Sequence, residues 1–285
     1  MTAIFNARIL ASIAMLVFVG AVVAGATGAF FSDTETSRGN TFAAGSIDLQ
    51  VDSQSHYNGN VCVPNPDDQG FVWQGTAPFP VPGTPCDGTW RQTDLGPSNL
   101  FFNFGDIKPG DDGEDTISLH VTSNSAWMCA DVKVTKDDDV STVQPELNAG
   151  DVLENPADPF DGELSKNIQF FAWLDNASST QIHAGDNIFE ENEQRLFLGF
   201  LSTTSTTTLA LADSSTGGGP LVASTTAYIG LAWCAGTFSS FFPLTCDGTA
   251  MGNITQTDSM MADITLRAEQ ARHRPDFLCK PSPIL

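Results

Sequence analysis

The sequence predicts an all-β fold: a jelly-roll-like β-sandwich with long disulfide-stapled loop insertions, preceded by a cleavable N-terminal signal helix. Three observations predict it. Short runs rich in Thr, Ser, Val, Ile and Phe alternate polar and apolar residues, the pattern of half-buried strands. Clusters of Pro, Gly, Asn and Asp separate these runs at irregular intervals. Beyond the N-terminal segment, no long stretch carries apolar residues at helical spacing. That combination fits a sandwich better than a helical or α/β fold.

The elements follow in order. Residues 9–32 carry no charge and Arg8 precedes them, which is a positive n-region followed by an apolar h-region. Small residues crowd positions 24–29, so cleavage is expected after Ala29, with Gly28 as the alternative site. An uncleaved anchor is the competing reading, since spanning a bilayer takes about 20 apolar residues. Ser46–Asp52 alternates, with Ile47, Leu49 and Val51 facing one side. Residues 57–99 are rich in Pro, Gly, Asn and Asp and read as a stapled insertion loop with a short hairpin around Phe71–Trp73. After the apolar run Phe101–Phe104, Pro109-Gly110 marks a turn into the alternating strand Thr116–Thr122. Trp127–Val134 is the next strand, and an acidic, Pro-containing insertion covers 137–161. Ile168–Leu174 and Arg195–Leu201 are apolar strands, and Ser202–Thr208 is a low-complexity run read as an exposed strand or linker. Thr225–Cys234 reads as a central strand and Asp263–Glu269 as the last full one. The expected organisation is therefore a signal peptide at 1–29, an N-terminal segment at 30–45 and a sandwich domain at 46–285.

Composition restricts the function. The 285-residue chain has 34 Asp and Glu against 12 Lys and Arg, a formal net charge of −22. Such a surface repels nucleic acid and anionic membranes and suits a soluble exported protein. Export also explains the six cysteines, an even number in a chain headed for an oxidising compartment. Cys62 with Cys86 and Cys234 with Cys246 are near in sequence and flanked by turn residues, which leaves Cys129 with Cys279 as a long-range staple. A zinc site is a poor alternative, because no Cys-x-x-Cys occurs and His56, His120, His183 and His273 are scattered.

The export junction carries the most specific signal. Phe30-Phe31-Ser32-Asp33 follows the small residues, and Asn40-Thr41-Phe42-Ala43-Ala44-Gly45-Ser46-Ile47-Asp48-Leu49 follows at close spacing. The two blocks resemble the processing junction of the TasA/camelysin family, secreted biofilm-matrix fibre proteins whose signal peptides are cut by a dedicated signal peptidase. The resemblance implies secretion to the extracellular matrix or cell surface. It also implies head-to-tail polymerisation, in which the N-terminal segment of one subunit adds as a strand to the next. Phe30, Phe31, Ser32 and Asp33 would form the donor segment, and Thr41, Phe42, Ala44 and Gly45 its junction with the body. Physically, a segment too polar to build its own core can fill an open sheet edge by β-augmentation. Such a contact does not close on itself and so yields a filament. The partners implied are other copies of the chain, a smaller anchoring subunit, matrix polysaccharide, and the signal peptidase during export.

No catalytic constellation accompanies these features. His-Glu-x-x-His, Gly-x-Ser-x-Gly and the P-loop pattern are absent, so the chain is read as a non-enzyme. The metallopeptidase activity attached to the camelysin name would lack its usual ligand helix. The candidate cofactor is Ca²⁺, held by oxygen ligands from Asp175, Asp186, Glu190 and Glu193 in one acidic loop; a solvated loop is the plainer reading. The rival function is a monomeric Ca²⁺-dependent adhesin or carbohydrate-binding protein that uses Tyr57, Phe71, Trp73 and Trp90.

Overall fold

The computed structural model describes residues 32–37, 41–42, 47–67, 70–176 and 183–280. Two antiparallel sheets face each other. The larger is built on Leu49–Tyr57 (β3), Asp112–Val121 (β7), Thr225–Ala235 (β12) and Ile168–Leu174 (β9). Asn60–Pro64 (β4) and Phe71–Gln74 (β5) extend it past β3, Trp90–Thr93 (β6) also pairs with β3, and Gln194–Phe200 (β10) closes the opposite edge. The smaller sheet runs in the order Thr207–Ala212 (β11), Ala126–Asp139 (β8), Asp258–Gln270 (β15), Ser32–Ser37 (β1) and Thr41–Phe42 (β2). The hairpin of Thr237–Phe241 (β13) and Leu244–Asp247 (β14) stands apart. The short helices are Gln144–Ala149 (α1) and Leu164–Asn167 (α2).

Alternation builds the core between the sheets. Along β3, residues 49, 51, 53, 55 and 57 are all buried. Leu49 and Val51 meet Ile117, Leu119 and Val121 of β7 and Ile229 of β12. Met128 and Ala130 of β8, Leu211 of β11, and Ile264, Leu266 and Ala268 of β15 complete the cluster from the facing sheet. The filling is incomplete. A mostly apolar cavity of about 960 Å³ remains between the sheets, lined by residues including Val132, Phe170, Leu209, Leu231 and Ile264.

Both outer faces are also covered in part. The C-terminal residues strap across β8: the Trp127 indole N–H donates to the Arg274 carbonyl at 2.7 Å, Phe277 stacks on Trp127, and Cys279 is bonded to Cys129. On the larger sheet, Phe171, Trp173, Phe189 and Ala232 form a separate cluster under Phe238, Phe241 and Leu244 of the β13–β14 hairpin. The Arg195 guanidinium lies over the Phe241 ring, 4.7 Å from its centre. Gly230 of β12 makes this layer possible. It sits opposite Trp173 of β9, and a Cβ there would fall 2.0 Å from the indole. Gly230→Ala is therefore expected to lower the unfolding free energy by about 1–3 kcal/mol, the range for overpacking, read as a lower denaturant midpoint at unchanged slope.

Two sequence expectations are corrected. The 57–99 insertion is more than a loop, because β4, β5 and β6 add paired strands to the sheet. Asn58 and Gly59 take left-handed conformations, φ 48° and 79°, and turn β3 tightly into β4. The acidic stretch that begins at 137 is strand at its start, since β8 continues to Asp139 and pairs with Asp258. Acidic side chains there are carried by the ladder.

Candidate functional site

β15 is the strand around which the N-terminal residues gather. Along one side it pairs with β8 over nearly its full length, from Asp258↔Asp139 to Gln270↔Ala126. Along the other it pairs antiparallel with β1, in the register Ser32↔Glu269, Asp33↔Ala268, Thr34↔Arg267, Glu35↔Leu266 and Thr36↔Thr265. β2 then pairs back onto β1, with Glu35 opposite Phe42. The residues just after the expected cut thus lie within their own chain as a strand on β15. Of the expected donor residues, Ser32, Asp33, Thr41 and Phe42 are in these two strands. Phe30, Phe31, Ala44, Gly45 and the cleavage residue Ala29 lie outside the described residues.

The middle of β15 is anchored from the far side of the sheet. Arg267 donates from Nε to Asp131 Oδ2 at 2.8 Å and from a terminal nitrogen to Asp131 Oδ1 at 3.2 Å, and Thr208 donates to the same Oδ1 at 2.6 Å. Asp131 is buried, so this two-pronged pair compensates its charge where water cannot. A third Arg267 hydrogen bond reaches the Lys280 carbonyl and ties the C-terminal strap to the same strand.

The cysteines form three disulfides: Cys62–Cys86, Cys129–Cys279 and Cys234–Cys246. The first closes the 57–99 insertion on itself, with Cys62 buried beside Tyr57 and Trp73. The third fastens β14 to β12.

The acidic loop expected to bind Ca²⁺ uses its carboxylates on itself. Asp175 is buried; its Oδ1 accepts from the Gly185 N–H at 2.9 Å and its Oδ2 from the Asn187 N–H at 2.8 Å. Burial pushes the Asp175 carboxyl up, and those two amides pull it partly back. Asp186 accepts from the Ile188 N–H, and Glu193 from the Glu190 N–H at 3.1 Å. Asp175, Asp186 and Glu193 thus brace a turn, whereas Glu190 Oε2 is buried without a hydrogen-bond partner. Among the described residues, the carboxylates that do converge are Asp139, Glu146 and Asp151, in the other acidic stretch.

The aromatic residues of the insertion are also placed differently from a sugar-binding platform. Tyr57 and Trp73 are buried, and Tyr57 packs edge-on against Trp73, Phe79 and Trp233. Trp90 donates its indole N–H to the Val51 carbonyl at 3.2 Å and packs on Phe101. Tyr57 and Trp73 thus belong to the core, whereas Phe71 and Trp90 are half-buried.

Among the described residues no helix is long and apolar enough to cross a membrane. No curated protein matches the chain. Residues 5–64 match the family model described as camelysin metallo-endopeptidase. The matched stretch takes in the export segment, the junction, β1, β2 and β3, and ends in β4. It covers the blocks that carry the resemblance and leaves most of the sandwich unmatched. Over residues 5–64, the chain is shown to be similar to the camelysin family, as the junction motif implies.

Proposed function

We propose that this chain is an exported structural subunit that polymerises into extracellular fibres, with residues 30–45 of one subunit added to the β15 edge of the next. The pairing of β1 along β15 carries this reading. Without β1, the stretch of β15 from Thr265 to Glu269 would offer unpaired amides and carbonyls along one side. The segment that satisfies them is a terminal one, joined to the body only through the short connection after Phe42. Exchange of such an element between identical subunits preserves every strand pair and turns a self-contained monomer into a head-to-tail chain.

Under this reading cleavage is the switch. While the segment is fused to the apolar export helix it is held at the membrane; after the cut it is free to leave its own β15. A peptidase role, suggested by the family description, has less support, because the sequence lacks His-Glu-x-x-His and its four histidines are scattered. The test is electron microscopy and sedimentation of the chain beginning at Phe30 beside the chain beginning at Thr41. Filaments from the first and monomers from the second are expected. Identical behaviour of the two would overturn the proposal.

A further inference from the structure

The acidic stretch after β8 folds into a cage of carboxylates. Asp137 and Asp139 come from the end of β8, Asp258 from the start of β15, Glu146 from α1, Asp151 from the turn after it, and Glu163 from the residue before α2. One oxygen from each of Asp139, Glu146 and Asp151 lies within 4.8 Å of the others. Asp137, Asp139 and Glu146 are almost fully buried, at 0%, 2% and 0% exposure. None of the six makes an ion pair among the described residues.

The way these groups are held is informative. Asp137 Oδ1 accepts from the Ser165 N–H at 3.1 Å, Asp139 Oδ2 from the Thr142 hydroxyl at 2.9 Å, and Asp258 Oδ2 from the Glu163 N–H at 2.7 Å. In each case the second oxygen is buried and has no hydrogen-bond partner: Asp137 Oδ2, Asp139 Oδ1 and Asp258 Oδ1. Asp151 Oδ2 and Glu163 Oε2 are likewise buried and unpartnered. Glu146 is clamped through Oε2 by the Val143 N–H at 2.5 Å, with the Thr257 hydroxyl 3.2 Å from its Oε1. In Asp137, Asp139, Asp151 and Asp258 one oxygen fixes the side chain and the other is left bare, the arrangement expected of a preformed cation site and costly otherwise.

We infer that Asp139, Glu146 and Asp151 bind a divalent cation, Ca²⁺, with Asp137, Glu163 and Asp258 as its surrounding oxygen shell. Only hard oxygen donors are present, which excludes a soft-metal preference. Ca²⁺ accepts about six to eight oxygens in flexible geometry, whereas Mg²⁺ demands a strict octahedron and keeps much of its water. A cage of six carboxylates from five chain segments suits Ca²⁺. The bound ion would tie residues 140–163 to the adjoining ends of β8 and β15. The inference is independent of fibre assembly.

The test uses the mature chain stripped with a chelator and then titrated with CaCl₂ in a calorimeter, with thermal unfolding followed in parallel. Saturable binding is expected, with a Tm rise on the order of 5–10 °C at Ca²⁺ 100-fold above its Kd, and a much weaker response to MgCl₂. Asp139→Asn should weaken Ca²⁺ binding at least tenfold. In chelator the same variant should be no less stable than the parent, because it removes a repelling charge; this separates lost binding from failed folding. Asp186→Asn, in the other acidic loop, should leave the titration unchanged. Absence of saturable Ca²⁺ binding by the parent, or full binding by Asp139→Asn, would overturn the assignment.

Discussion

A chain beginning at Thr41 is expected to remain monomeric where the chain beginning at Phe30 forms filaments, and to shorten those filaments when the two are mixed. The reasoning is geometric. The truncated subunit keeps β15 and can still accept a neighbour's segment, but it has no segment to donate. Each one incorporated ends a filament, so mean length should fall with its mole fraction. The truncation should cost little stability. Among the residues whose burial is described, those of the core clusters lie at position 47 or beyond, and β15 stays paired with β8. What is lost is an edge ladder of five registered pairs, with each hydrogen bond worth about 0.5–1.5 kcal/mol net. Filament length by electron microscopy and monomer fraction by sedimentation read both effects. A truncated chain that polymerises alone, or leaves the parent filaments at full length, would locate assembly elsewhere.

The second large effect concerns the Cys129–Cys279 disulfide. Replacing both residues by Ser is expected to lower stability by about 2–5 kcal/mol, measured by denaturant unfolding. This bond closes the longest sequence separation of the three, 150 residues against 24 for Cys62–Cys86 and 12 for Cys234–Cys246. A loop of that size restrains the unfolded chain most, by about 5 kcal/mol against about 3 for a loop near 15 residues. The same bond anchors the strap that covers Trp127 and meets Arg267 through the Lys280 carbonyl, so its loss uncovers the outer face of β8. Removal of Cys234–Cys246 should cost less, since β14 is also held by its pairing with β13. The reverse order would mean that the strap adds little to the folded state.

The alternating strands were legible because their burial is one-sided. Ile47 to Val51 and Asp263 to Glu269 display in sequence the period of two that the sheets then use, whereas Ile168 to Leu174 reads as a continuous apolar run because both of its faces are covered. β5 answers to the short hairpin expected around Phe71–Trp73, but β4 was hidden by the density of Pro, Gly and Asn around it, although Asn58-Gly59 is a strong hairpin signal. The β13–β14 hairpin was obscured for another reason: its Phe238 and Phe241 cover the outside of a sheet, a second apolar layer that alternation does not announce.

Site residues divided along similar lines. The junction was readable as a motif because its blocks have fixed identity and spacing. The carboxylate cage was not, because Asp139, Glu146, Glu163 and Asp258 are separated by loops and meet only when β8 pairs with β15. Acidic density alone favoured the 175–193 loop, where Asp175, Asp186 and Glu193 instead accept from nearby backbone amides. Likewise Tyr57 and Trp73 had the composition of a ligand platform and the location of a core.

The central claim is that β1 can leave its own β15 for that of a neighbour, and the register gives a direct way to see it. Thr36 lies opposite Thr265. One preparation carries Thr36→Cys alone and another Thr265→Cys alone; the two are mixed after cleavage and oxidised mildly. Exchange between subunits predicts a covalent dimer containing one chain of each kind, absent when either preparation is oxidised by itself. The contradicting result is no mixed dimer, while the double variant Thr36→Cys, Thr265→Cys closes its disulfide entirely within single chains.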